Sequence, residues 1–83
     1  MLKILVADDH TIVRDGLKQI LGEVPDMIVA GEASDGVEVL HKVREDHYDL
    51  VLLDIAMPGI SGMDVLKQLK SKKPDLPVLM LSM

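Results

Sequence analysis

Three aspartates stand where a charge is hard to place. Asp8 and Asp9 follow the apolar run Ile4 to Ala7, and Asp54 ends the run Val51-Leu52-Leu53. Short runs rich in Val, Ile and Leu, without polar alternation, read as strands buried on both faces. A carboxylate at the end of such a strand is costly unless something compensates it. If the two strands are neighbours, the three carboxylates converge. Two unit charges about 5 Å apart repel by roughly 3 kcal/mol at an effective dielectric of about 20. Three such pairs cost on the order of 10 kcal/mol, comparable to the whole stability of a small domain. Protons or a divalent cation must offset that repulsion. Oxygen ligands without His or Cys favour Mg²⁺, which keeps several waters and takes one or two carboxylates. An ion there would also attract a phosphoryl group and stabilise its transfer.

The residues around the acids fit that chemistry. Met57-Pro58-Gly59-Ile60-Ser61-Gly62 is a turn-rich segment that can hold the backbone carbonyl of Ala56 toward the cation. Ser82 ends a further apolar run, Val78 to Leu81, where its hydroxyl could hydrogen-bond a phosphoryl oxygen. Taken singly, each feature has a plainer reading. Asp8 or Asp9 alone would cap the next helix, Met-Pro-Gly alone is a turn, and a serine after a strand is ordinary. Acids after two parallel strands are what point to a site. His10, His41 and His47 read as surface positions, and Met57, Met63, Met80 and Met83 as core filler.

The elements that must position these groups follow from the spacing. Four apolar runs, Ile4 to Ala7, Met27 to Ala30, Leu50 to Leu53 and Val78 to Leu81, alternate with helical stripes. Val13, Leu17, Ile20 and Leu21 make the first stripe, which Gly22 and Pro25 stop. Val39, Leu40 and Val43 make the second, opened by Asp35 with Glu38 three residues on. Val65, Leu66 and Leu69 make the third, opened by Ser61 with Asp64 and closed by Lys70, Lys72, Lys73 and Pro74. Strands separated by one helix are parallel, and right-handed crossovers put helices on both faces of the sheet. The strand C-termini then share one edge, where ligands bind in such sheets.

Composition narrows the function further. Eighty-three residues, 48% hydrophobic, make one small domain with a thin core. Nine basic residues against fourteen acidic ones give a net charge of −5, which argues against gripping nucleic acid or an anionic membrane. Tyr48 is the only Phe, Trp or Tyr in the chain, so no stacking platform for bases is available. The absence of Cys excludes disulfides, thiolate zinc sites and cysteine nucleophiles. No apolar run approaches a membrane span, and Met1 to Asp9 lacks the pattern of a signal peptide, so a cytoplasmic location is expected.

With these residues in place, the chain resembles the receiver domain of bacterial two-component response regulators. The resemblance rests on Ile4-Leu5-Val6-Ala7-Asp8-Asp9, on Leu50 through Gly59 with Asp54 and Met57-Pro58-Gly59 inside it, on Gly62, and on Pro77 through Ser82. Asp8-Asp9-His10 with Val13-Arg14-Asp15-Gly16-Leu17 resembles the NarL/FixJ subfamily, whose members usually carry a C-terminal LuxR-type DNA-binding domain. The resemblance implies a flavodoxin-like (CheY-like) parallel sheet, ordered 2-1-3-4 in this chain. It implies Asp54 as the phospho-acceptor for a sensor histidine kinase. Asp9, Asp54 and the Ala56 carbonyl would bind Mg²⁺ directly, Asp8 would act through a metal-bound water, and Ser82 would be the switch hydroxyl. A domain of this kind catalyses only its own phosphoryl transfer.

The family pattern continues past Ser82 into a fourth helix, a fifth strand with an essential Lys, and a fifth helix. Residues 1–83 are therefore expected to be the N-terminal part of a receiver, impaired in phosphorylation and self-associating through the fourth strand or by exchange of an element. Nucleic-acid binding would belong to a C-terminal domain of the parent. Two other readings remain open. One is a Mg²⁺-dependent phosphatase with Asp54 as nucleophile, against which stands Ala56 where haloacid dehalogenase enzymes place a second Asp. The other is an assembly module whose acids are vestigial.

Overall fold

Val, Ile and Leu at consecutive positions can only be satisfied by cover on both sides, and the two strands richest in them lie at the centre of the sheet. The computed structural model describes residues 1–81. Among these, the order is β1 (Leu2–Ala7), α1 (Thr11–Gly22), β2 (Met27–Ala33), α2 (Gly36–Glu45), β3 (Leu50–Asp54), α3 (Gly62–Lys72) and β4 (Val78–Leu81). The strands form one parallel sheet, as the spacing predicts, in the order β2-β1-β3-β4 that the family resemblance implies. Ile4, Leu5, Val6, Val51 and Leu53 are fully sealed from solvent. Ser82 and Met83 lie outside the described residues.

Helices cover both faces. Leu5, Ala7, Val51 and Leu53 pack with Val39 and Val43 of α2 and Val65 and Leu69 of α3. On the other face, Ile4, Val6 and Leu52 meet Leu17 and Leu21 of α1. The two predicted caps are present: Asp35 Oδ1 accepts from the Glu38 amide at 2.8 Å, and Ser61 Oγ accepts from the Asp64 amide at 3.2 Å. Glu38 completes the first of these by accepting from the Ser34 amide at 2.8 Å. No helix among the described residues is long and apolar enough to cross a membrane.

Three expectations fail, each for a positional reason. Ile20, placed in the buried stripe of α1, is 62% exposed. The helix rests on the sheet along the narrow line of Leu17 and Leu21, and Ile20 falls outside that line. The outer runs are not buried on both faces: Ile28 of β2 and Leu79 of β4 are exposed, because these are edge strands that the helices only partly cover. Met63 is half exposed on the first turn of α3 rather than in the core, whereas Met57 is buried and Met80 packs against the core. Met83 is outside the described residues.

Candidate functional site

Parallel strands of this order bring the ends of β1 and β3 side by side, with Ala7 opposite Leu53. Asp8 then leaves β1 beside Asp54, the last residue of β3. Both are buried, at 2% and 4% exposure. One side-chain ligand atom from each of Asp8, Asp9, His10 and Asp54 lies within 4.8 Å of all the others. Asp9 and His10 are on the solvent side and make the cluster accessible.

Local hydrogen bonds shape this group. The Asp8 amide donates to the Ala33 carbonyl at 3.0 Å, which ties the end of β1 to β2. Asp8 Oδ1 accepts from the His10 amide at 2.8 Å and lies 2.9 Å from His10 Nδ1. Asp9 Oδ1 is 3.0 Å from the same nitrogen. Neither acid caps α1, whose N-cap is His10 with no side-chain capping bond. The simple capping explanation for the acid pair therefore does not apply. Asp54 Oδ1 accepts from the Ala56 amide at 3.1 Å, which folds the following turn back over the carboxylate.

That turn is built around two glycines with different jobs. Gly59 has a φ of 82°, a left-handed conformation that side chains resist. At Gly62 a Cβ would lie 2.8 Å from Ile55 Cα and 3.0 Å from the Asp54 carbonyl oxygen. Only glycine lets the start of α3 approach the backbone that carries Asp54. Buried Met57 anchors the middle of the turn.

Of the residues singled out in the sequence, Asp8, Asp9 and Asp54 come together as expected, and Ala56 lies in the turn beside Asp54. Ser82 lies outside the described residues. His41 and His47 are exposed. His10 is also at the surface, yet it engages two of the acids, a contact that sequence reasoning missed. Its pKa is raised above the usual 6.5, first by its hydrogen bond to Asp8 and then by the negative charge of Asp9. Its position directly after the acid pair was the available signal. A separate cleft lined by His47, Tyr48, Lys73 and Leu76 lies at the opposite edge of the sheet and shares no residue with the acid cluster.

Groups of oxygen ligands at this spacing fit a hard divalent cation. The imidazole of His10 hydrogen-bonds the acids from the solvent side, where a cation would compete with it for Asp8 and Asp9. The chain matches the response regulator receiver domain family over residues 4–83, and it belongs to that family. It is similar to the response regulator GacA of Pseudomonas syringae, at 40% identity over 95% of this chain and 37% of GacA. Among solved structures it resembles response regulator TrrA of Thermotoga maritima in complex with Mg²⁺-BeF, with a TM-score of 0.92, 41% identity, and 99% and 70% of the two chains covered. It also resembles RcsB of Salmonella enterica bound to promoter rprA with phosphomimetic BeF₃⁻, with a TM-score of 0.94, 27% identity, and 100% and 70% covered. The chain thus spans about 37% of the length of the curated relatives it matches.

Proposed function

We propose that this domain is the phospho-accepting switch of a two-component response regulator, with Asp54 as the acceptor. The observation that carries the reading is the gathering of Asp8, Asp9 and Asp54 from two adjacent strands within 4.8 Å, in a chain of the receiver family. A carboxylate oxygen of Asp54 attacks the phosphorus of a phosphohistidine on a sensor histidine kinase. The P–N bond breaks, a P–O bond forms, and the imidazole leaves with the electron pair and takes up a proton. The product is an acyl phosphate on Asp54.

Asp8, Asp9, Asp54 and the Ala56 carbonyl would hold Mg²⁺, which supplies the positive charge that offsets the acids and the incoming phosphoryl oxygens. The Mg²⁺-BeF complex of TrrA supports that assignment by similarity. The Ala56 amide, donating to Asp54 Oδ1, orients the nucleophile and leaves its other oxygen free to react. Buried Met57 and the close approach at Gly62 keep the turn from moving away. Ser82 would donate to the phosphoryl group. In this reading the domain modifies only itself and is not a turnover enzyme. It works in the cytoplasm, and DNA binding belongs to another part of the parent, as the RcsB–promoter complex suggests by similarity.

Incubation with a small acyl phosphate and Mg²⁺, followed by intact mass measurement, tests the reading. The wild type is expected to gain at most one phosphoryl group, slowly and in part, and Asp54→Asn none. Turnover of a phosphoester without a retained group would favour the phosphatase, and equal behaviour of both proteins would favour an assembly module. We also propose that residues 1–83 self-associate, either through β4, an edge strand among the described residues whose Leu79 is more than half exposed, or by exchange of an element. Sedimentation giving a folded monomer at micromolar concentration would refute that.

A further inference from the structure

Arg14 belongs to the segment Val13-Arg14-Asp15-Gly16-Leu17 and has no part in the chemistry above. Its side chain is nevertheless only 17% exposed, an unusual cost for a guanidinium on a helix that buries none of its residues fully. Nη1 donates to the backbone carbonyl of Asp8. Nε donates to Glu32 Oε1 at 3.3 Å. The second oxygen of Glu32 accepts from Lys18 Nζ at 3.1 Å. One carboxylate on β2 thus holds two cations of α1, and Arg14 spans from it to the residue that leads the acid cluster.

Glu32 reaches that position because of a break in the strand. Ile4 pairs with Val29 and Leu5 with Gly31, so Ala30 is an extra residue without a partner in the register. Met27 and Val29 pack on the α1 face. Gly31 lies against Tyr48, and Ala33 packs with Leu5 and Ala7, both on the opposite face. Strict alternation from Met27 and Val29 would send Glu32 into the apolar layer under α2 and α3. The bulge shifts the phase by one residue and returns Glu32 to the α1 face, where Arg14 and Lys18 are waiting.

We propose that Arg14, aimed by Glu32 from beyond this bulge, is a positioning residue for the Asp8–Asp9 turn, holding its carboxylates where they share a cation with Asp54. The inference rests on the phospho-accepting reading and deepens it. Its sign can be told from a simple charge effect. Removing a cation near three carboxylates would by electrostatics alone tighten Mg²⁺ binding. Loosening the turn that presents two of them would weaken it.

The test compares Arg14→Ala, Arg14→Lys and Lys18→Ala, the last cutting the other arm of Glu32 without touching the acid turn. Mg²⁺ affinity is read by calorimetry, and backbone ¹⁵N order parameters at Asp9 and His10 are read in metal-free protein. Arg14→Ala is expected to weaken Mg²⁺ by about tenfold or more, as loss of a supporting contact does elsewhere. The order parameters at Asp9 and His10 should fall from about 0.85 toward 0.6. Arg14→Lys keeps the charge without the planar fork, so it should show the same loss in smaller measure. It also serves if the alanine variant does not fold. Lys18→Ala should leave both readings near wild type. Unchanged or tighter Mg²⁺ binding in the Arg14 variants, or order parameters that do not move, would overturn the proposal. If wild type binds no Mg²⁺, the metal reading fails, and the order parameters alone decide the role of Arg14: a fall upholds it, no change overturns it.

Discussion

On the face under α2 and α3, Val39, Val65 and Leu69 close over Leu5, Val51 and Leu53, and all six are sealed from solvent. On the face under α1, the helix buries none of its own residues fully, and Leu17 and Leu21 rest half-covered on Ile4, Val6 and Leu52. The first face is held by area removed from water. The second adds charged ties, Glu32 to Arg14 and Glu32 to Lys18, to a thinner apolar contact. The acid cluster sits where the two regimes meet. Asp54 is anchored from the α3 side by Gly62 and the Met57 turn, whereas Asp8 is steadied from the α1 side by Arg14. A half sealed by apolar packing and a half tied by charge thus share one site.

The largest effect should come from the sealed face. Leu53→Ala is expected to cost about 2–5 kcal/mol, the range for a buried leucine that leaves a cavity. Leu17→Ala, on the half-covered contact, should cost only about 1 kcal/mol. Denaturant unfolding measures both, and equal losses would erase the contrast between the faces. Gly62→Ala should come next, at about 1–3 kcal/mol, because the new methyl meets backbone that cannot swing aside. Thermal unfolding checks it, and an unchanged melting temperature would show that α3 can shift away from Asp54.

The smallest effect concerns the charged tie and its pH dependence. The pKa of Glu32 is held below the usual 4.5, first by its hydrogen bond from Lys18 and also by Arg14. A depressed carboxylate stabilises the fold above its unfolded pKa and loses that contribution as pH falls through the folded one. Glu32→Gln should therefore destabilise the protein at neutral pH by under about 1 kcal/mol, as for a part-exposed ion pair. The difference from wild type should vanish as the solution is acidified below the depressed value. Melting curves from neutral to acid pH, repeated at high salt, would show it; a difference that grows on acidification would contradict the tie.

Much of this was legible in the residues. Apolar runs without alternation marked the two central strands, and Asp35 and Ser61 marked the starts of α2 and α3 by their own capping chemistry. The convergence of Asp8, Asp9 and Asp54 was conditional on β1 and β3 being neighbours, an adjacency that the residues left open and only the family resemblance implied. What was hidden depends on phase and on contact between distant segments. The run Met27 to Ala30 ends at the bulge, and β2 continues through polar Glu32 to Ala33, which apolar patterning does not register. Ile20 has the spacing of a core residue, but the contact line of α1 is too narrow to reach it. His10 and Arg14 act through bonds to a turn whose shape no periodicity reveals.

Melting wild type and Asp54→Asn with and without millimolar Mg²⁺ tests most directly the proposal that these acids share a cation. Repulsion among the gathered carboxylates predicts that, metal-free, Asp54→Asn melts higher than wild type. A ligand that binds only the folded state raises its stability, so Mg²⁺ should raise the wild-type melting temperature and leave the variant nearly unmoved. A wild type indifferent to Mg²⁺, with Asp54→Asn no more stable in its absence, would contradict a site in which these three acids share one ion.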